Sequence, residues 1–320
     1  MRTVEFRRDG ELRLAVIPEH AEAATDVTAQ LPTGAAEPAG LAAAIRLART
    51  EHVPLCDLLA GMAERSGEGV DVDAARGWVG GLPVSAPVVA PETWAAGVTY
   101  RRSREAREAE SEHAADVYAQ IYDAERPEIF LKDVGGRRSV GPHAPVAIRG
   151  DSAWTVPEPE LALILDADGA IVAVTLGDDV TARDIEARNP LYLPQAKIYD
   201  SACSLGPCAL IAPAGGELGE FELELTVRDA AGELVYTGTA TTASMVRGFE
   251  QLSRWLRRSN TVGDGTVLLT GTGIVPPDDV ALQPGHIVAI SCPRIGTLTN
   301  EVFRHPTAEA VSVSAAEARA

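Results

Sequence analysis

Basic residues are scarce in this chain: 28 Lys and Arg stand against 46 Asp and Glu, a formal net charge of −18. Binding to nucleic acid or to an anionic membrane rests on Lys and Arg neutralising phosphates, so neither partner is expected. Cysteine is sparse too. Cys56, Cys203, Cys208 and Cys292 make no CxxC pair and no Cys/His spacing of a zinc site. Reduced thiols are the simplest reading. No stretch approaches the ~18 uninterrupted apolar residues of a membrane span, and the opening MRTVEFRRDGELRLAV is charged throughout, without an apolar signal region. A cytoplasmic protein is therefore expected. The Gly-rich stretch GDGTVLLTGTGIVPP lacks the GK[ST] ending of a phosphate-binding loop, which argues against nucleotide binding.

What is present suits a globular protein with many turns and strands: 46% hydrophobic residues, 29 Gly and 21 Pro in 320 positions. That length supports a proper core in two unequal domains. Residues 1–88 read as a small N-terminal α/β domain. It has two strands around the Asp9-Gly10 turn, then the helical run GLAAAIRLARTEHVPLCDLLAGMAERS broken near Pro54. The Gly/Pro-rich segment 80–94 reads as a linker. Residues 103–125 read as a helix rich in Ala, Glu and Arg. After it, short alternating or β-branched runs (EIFLK, APVAIR, ELALILDADGAIVAVTLG, FELELTVRDAAGELVYTGTAT, TVLLTGTG, HIVAIS) predict a mainly β second domain over 89–307. One amphipathic helix is expected there, with Met245, Phe249, Leu252 and Leu256 at helical spacing. His143, in a Gly/Pro turn, reads as an exposed loop residue. Residues 308–320 read as a flexible tail.

In TVPEPELAL, Glu158 and Glu160 are two positions apart on a strand-like run and so share a face. Like charges that close repel unless a cation sits between them. Asp178 and Asp179 end another apolar strand at TLGDDVTARDIE. An all-oxygen set of this kind suits Mg²⁺, with Mn²⁺ or Ca²⁺ as alternatives, rather than zinc. A solvent-exposed strand face gives the same alternation, as in GEFELELTV, so the pattern alone leaves both readings open.

Beyond these patterns, the runs PEPELALIL, GDDVTARDIEARNPLYLPQAKIYDSACSLGP, TGTG and PGHIVAISCPRIGTLTNEV resemble the fumarylacetoacetate hydrolase superfamily over about residues 90–305. GVTYRRSREAREAE, RPEIFLK and NPLYLPQAKIYD look most like its 2-keto-3-deoxy-pentonate dehydratase branch. The resemblance implies an α+β, mainly β fold, a mixed β-sheet roll with a small α/β N-terminal domain, in a homodimer or dimer of dimers. It places the Mg²⁺ ligands on Glu158, Glu160 and Asp179, with Asp178 where the family usually has Asn. Its lysines fall on Lys197 and Lys132, and its C-terminal threonine on Thr272.

The activity so implied is dehydration of a 2-keto-3-deoxy sugar acid, a small 2-oxo acid, through a metal-stabilised enolate, giving 2,5-dioxopentanoate from a pentonate. Lys197 is expected as base or as a holder of the substrate carboxylate. Glu128 and Lys132, four apart on one strand face, form either a proton-transfer pair or a plain salt bridge. Ser103, Arg104 and Arg107 lie where superfamily members carry a lid; they are expected to bind substrate, against the alternative of a solvated helix. The hydrolases of the superfamily carry a His/Glu pair in that region, whereas YRRSREARE has no histidine and His113 follows only later. C–C hydrolysis, decarboxylation or isomerisation of a 2-oxo acid is the alternative on the same scaffold, and a noncatalytic binding protein is the alternative of another class.

Overall fold

The computed structural model describes residues 1–19, 23–32, 40–101, 124–215 and 217–307. Asp9 and Gly10 both have positive φ, 54° and 82°, as a two-residue type I′ loop requires. They join β1 (Arg2–Arg8) to β2 (Glu11–Ile17), with Arg8 opposite Glu11. Helices α1 (Leu41–Thr50) and α2 (Leu55–Arg65) are separated at Pro54, which caps the second and has no N–H to continue the first. The chain then forms β3 (Glu92–Gly97), β4 (Glu128–Val134), β5 (Pro159–Leu165) and β6 (Ile171–Asp179). Two short helices follow, α3 (Arg183–Glu186) and α4 (Leu193–Lys197). Strands β7 (Cys203–Ile211), β8 (Glu222–Arg228) and β9 (Leu234–Thr241) precede α5 (Phe249–Leu256). Strands β10 (Thr266–Leu269), β11 (Ile287–Cys292) and β12 (Gly296–Arg304) complete the elements used below.

One eleven-stranded mixed sheet runs in the order 69–70, 24–26, β2, β1, β7, β6, β5, β10, β3, β4, with residues 139–140 alongside β7. Strands from both sides of residue 88 thus share it, through the pairing of β1 with β7. A second sheet, in the order 146–148, β12, β11, β8, β9, forms an outer layer. The architecture is mainly β with helices, as expected from the sequence.

β5 is buried at every position, because both faces of the large sheet are covered. Leu161, Leu163 and Leu165 enter a core shared with Leu223 and Leu225 of β8 and Leu252 and Leu256 of α5. Ala162 and Ile164 face the other way, into a core shared with Leu41, Ile45, Leu55 and Leu59 of α1 and α2. Each buried leucine contributes about 2 kcal/mol, so β5 is held from both sides and is a firm base for whatever projects from its end. β8 behaves differently: Glu222 and Glu224 are exposed while Leu223, Leu225 and Val227 are buried, the ordinary solvated face.

Three local expectations change. Segment 80–94 is not a solvated linker, since Val84, Val88 and Ala90 are buried. Met245 lies outside α5, which starts after Gly248; it is extended and bridged to Tyr100. His143, at φ 64°, packs its ring 4.3 Å from that of Trp78 and sets Nε2 2.7 Å from the Arg76 carbonyl, anchoring its turn. The expected helix at 103–125 lies outside the described residues except for Ala124 and Glu125, which form a bend, and the expected lid residues and tail at 308–320 lie outside them altogether. No described helix is long and apolar enough to cross a membrane.

Glu5, on central strand β1, is 1% exposed. Its Oε1 accepts the Leu41 N–H at 2.6 Å, at the start of α1, while Oε2 has no hydrogen-bond partner among the described residues. Burial pushes its carboxyl up to about 8, against the opposing pull of the Leu41 N–H and of Arg7. Below the unfolded value of 4.5 both states carry the proton and pH has no effect through this group. Between there and about 8 the unfolded chain releases the proton and the folded chain keeps it, so stability falls as pH rises. A shift of that size amounts to on the order of 5 kcal/mol. Glu5→Gln is expected to flatten the pH dependence of the melting temperature between pH 5 and 8 and to raise it at pH 8, as measured by calorimetry.

Candidate metal centre

β5 and β6 pair antiparallel with Pro159 opposite Asp178 and Glu160 opposite Gly177. This register lays the start of one strand against the end of the other and brings Glu158, Glu160 and Asp179 together. Each offers one oxygen, and these oxygens lie within 4.8 Å of one another. Glu158 and Glu160 are each 2% exposed and Asp179 is 1% exposed, so a solvated strand face does not describe this segment.

Two unit charges at that separation repel by about 3 kcal/mol at an effective dielectric near 20. Three such pairs together approach the whole stability of a typical domain, so the cluster needs cations. Three buried ones surround it. Arg183 of α3 donates Nη2–H to Glu158 Oε1 at 2.5 Å. Lys197, the last residue of α4, donates to Glu158 Oε2 at 2.5 Å, Asp179 Oδ2 at 2.9 Å and Thr181 Oγ1 at 2.7 Å. Lys132 of β4 pairs with Asp179 Oδ1 at 2.5 Å and donates to the carbonyls of Val180 and Lys197 at 3.1 and 2.6 Å.

Glu160 has a different partner. Its Oε2 accepts the Gly271 N–H at 2.5 Å, in a turn where Gly271 has φ 92° and a Cβ would collide with Thr99. Burial holds the Glu160 carboxyl well above the usual range; Asp179 and Glu158 add to the effect and Lys197 opposes it. An all-oxygen, desolvated donor set with one acid left under-compensated fits a hard divalent cation. Asp178 Oδ1 accepts the Glu158 N–H at 2.8 Å, and burial pushes its carboxyl up to about 7.

The triad borders a small pocket of about 20 Å³, which Glu128, Lys197 and Thr272 also line. Phe130 and Leu193 supply apolar walls. Glu128 reaches it across Gly97, its strand partner, where a Cβ would run into the carboxylate. Lys132 does not line this space; its side chain is 0% exposed and is engaged by Asp179 and two carbonyls. Ser103, Arg104 and Arg107 lie outside the described residues. A larger hollow of about 1310 Å³ lies elsewhere, beside Tyr100 and the outer sheet. Size and chemistry do not coincide, and the acidic triad marks the site. Arg183, Thr181 and Glu186 belong to the site without any sequence motif that marks them; Glu186 is 4% exposed and lines the same space. Arg183 and Glu186 follow Asp179 by four and seven positions, but α3 is a single turn, too short to display a helical period.

Comparison with known proteins bears on this centre. The family model for the fumarylacetoacetate (FAA) hydrolase C-terminal region matches residues 92–303. A probable 2-keto-3-deoxyxylonate dehydratase of Haloferax volcanii is 47% identical over 216 residues, 68% of this chain and 73% of that protein. The 2-dehydro-3-deoxy-D-arabinonate dehydratase of Saccharolobus solfataricus is 42% identical over 226 residues, 69% of this chain and 74% of that protein. A solved 2-keto-3-deoxy-D-arabinonate dehydratase complexed with magnesium and 2,5-dioxopentanoate is similar at a TM-score of 0.77 and 30% identity, over 96% of this chain and 100% of that one.

The contacts of Lys132 set a measurable expectation. Lys132→Met leaves Asp179 Oδ1 and two buried carbonyls without their cation, which is expected to cost about 3–5 kcal/mol in urea unfolding monitored by circular dichroism.

Proposed function

Because the chain belongs to the fumarylacetoacetate hydrolase family, we propose that it dehydrates a 2-keto-3-deoxy-pentonate to 2,5-dioxopentanoate with Mg²⁺ held by Glu158, Glu160 and Asp179. The observation that carries this reading is the buried all-oxygen triad opening on a space that Glu128 and Lys197 also line. When bound there, the ion supplies Lewis-acid polarisation of a 2-oxo acid, which eases loss of a proton from C3.

The chain's own residues supply the rest. Glu128 faces the space from the start of β4 and takes the C3 proton as general base. Lys197 steadies the Glu158 and Asp179 carboxylates it donates to, and its positive charge draws in the substrate carboxylate. Lys132 orients Asp179 from behind. Thr272, whose Oγ1 lies 3.1 Å from the Ile274 carbonyl, presents a hydroxyl to the substrate. Substrate contacts by Ser103, Arg104 and Arg107 rest on the family resemblance alone. So does a homodimer or dimer of dimers. Cytoplasmic placement rests on the four cysteines, none in a disulfide.

The test is direct. Purified protein with Mg²⁺ and racemic 2-keto-3-deoxy-pentonate is expected to release 2,5-dioxopentanoate, and chelation of the metal to stop it. Losing an outer partner of a metal site typically costs 10–100-fold. Glu160→Gln, which alters a ligand, is expected to lower turnover by more than about 100-fold and to abolish the Mg²⁺-dependent rise in melting temperature. Cleavage of an acylpyruvate with no loss of water from the sugar acid would replace this reading with hydrolysis. Binding of both Mg²⁺ and a 2-oxo acid without any turnover would replace it with a noncatalytic role.

A further inference from the structure

Helix α3 is one turn long, and its four side chains divide cleanly. Asp184 turns away from the metal centre and accepts from Ser152 Oγ at 2.7 Å and the Ala153 N–H at 2.9 Å. Ile185 packs with Ala182 and Ala196. Arg183 reaches Glu158. Glu186, three positions later, shares the Arg183 face and lines the small pocket that Glu128, Lys197 and Thr272 also line. Two carboxyl groups, from β4 and from α3, therefore border one small space beside the acidic triad.

Dehydration needs two proton-transfer groups, a base for C3 and an acid for the departing hydroxyl. Lys132 is withdrawn from the space by its three partners. Lys197 is committed to Glu158, Asp179 and Thr181. Resting on the dehydratase reading above, we propose that Glu186 is a further catalytic residue, the acid that protonates the C4 hydroxyl as it leaves. Glu128 removes a proton from C3; that electron pair becomes the C3=C4 double bond as the C4–O bond breaks. The departing oxygen takes the Glu186 proton and leaves as water. One carboxylate gains a proton and one carboxyl loses one, so the net loss from substrate is H₂O, and exchange with solvent restores both groups. The C3=C4 alkene so formed becomes 2,5-dioxopentanoate by tautomerisation, C5 and its hydroxyl each losing one proton while C3 and C4 each gain one.

The two half-steps separate experimentally. In D₂O with Mg²⁺, exchange of the C3 protons of 2-oxobutyrate reports base action alone, because that compound has no C4 hydroxyl. Glu186→Gln is expected to lower dehydration of the sugar acid by about 100-fold or more, while C3 exchange stays within about threefold of the parent protein and the Mg²⁺-dependent rise in melting temperature persists. Glu128→Gln is expected to lose both activities. Glu186→Asp, which keeps a carboxyl at shorter reach, is expected to dehydrate faster than the Gln variant. Dehydration by Glu186→Gln at the parent rate would overturn the assignment. So would loss of C3 exchange in step with dehydration, or a folded Asp variant no faster than the Gln variant. Absence of C3 exchange in the parent protein, by contrast, would refute the enolising chemistry and the function built on it, whatever Glu186 does.

Discussion

Three carboxylates gathered within 4.8 Å inside the protein are the constraint around which this fold is arranged. Their mutual repulsion is comparable to the stability of a domain, and no single neighbour offsets it. The compensation is drawn from three elements: Lys132 from β4, Arg183 from α3 and Lys197 from α4. Each is buried, with side-chain exposures of 0%, 1% and 3%. Removing one partner of a buried pair strands the other, so these elements cannot drift without cost. Electrostatics here does the positioning that hydrophobic packing does elsewhere.

The packing explains why the cluster sits where it does. β5 is clamped between a core closed by α1 and α2 and another closed by β8 and α5. Glu158 and Glu160 project from the beginning of that clamped strand, and Asp179 from the end of its partner β6. A site built on strand ends inherits their rigidity; β3 and β4 add strand walls through Gly97, Glu128 and Phe130, and short connecting segments, α3, α4 and the turn at Gly271 and Thr272, supply the rest. Gly271 illustrates the division. Its backbone N–H serves Glu160, and only a residue without a Cβ leaves room for Thr99.

Much of this was legible in the sequence, and the reason differs from element to element. The Asp9-Gly10 turn and the break at Pro54 are local chemistry, written in residues that accept few alternatives. The E-x-E pair was visible as spacing but ambiguous, because GEFELELTV shows the same alternation and its acids are solvent-facing. What separates the two is burial on both faces of the sheet, a property of distant residues. The cation shell was only half legible. Lys132 and Lys197 were noticed through the family motif, yet their partners, a carboxylate and two carbonyls for one, two carboxylates and a hydroxyl for the other, depend on contacts between elements far apart in the chain. Glu186 carries no sequence signal, because one turn of helix has no period to read. His143 sits in its turn as expected, and its anchoring escapes a local reading because Trp78 is 65 positions away.

Asp178 shows how little a departure from a family pattern need disturb such a site. Its Oδ1 accepts the Glu158 N–H, a task the side-chain oxygen of the usual Asn performs equally well. The difference is confined to the other atom. Oδ2 is buried without a hydrogen-bond partner among the described residues, so an ionised carboxylate there would bear the full cost of desolvation. Burial answers by raising the carboxyl to about 7, with Asp179 and Glu158 pushing the same way and Lys132 opposing. The backbone that sets Glu158 in place therefore keeps the same acceptor whichever residue is present. What changes is the charge that a cation in the triad would meet one residue before Asp179, and through it the strength with which the triad would hold that cation.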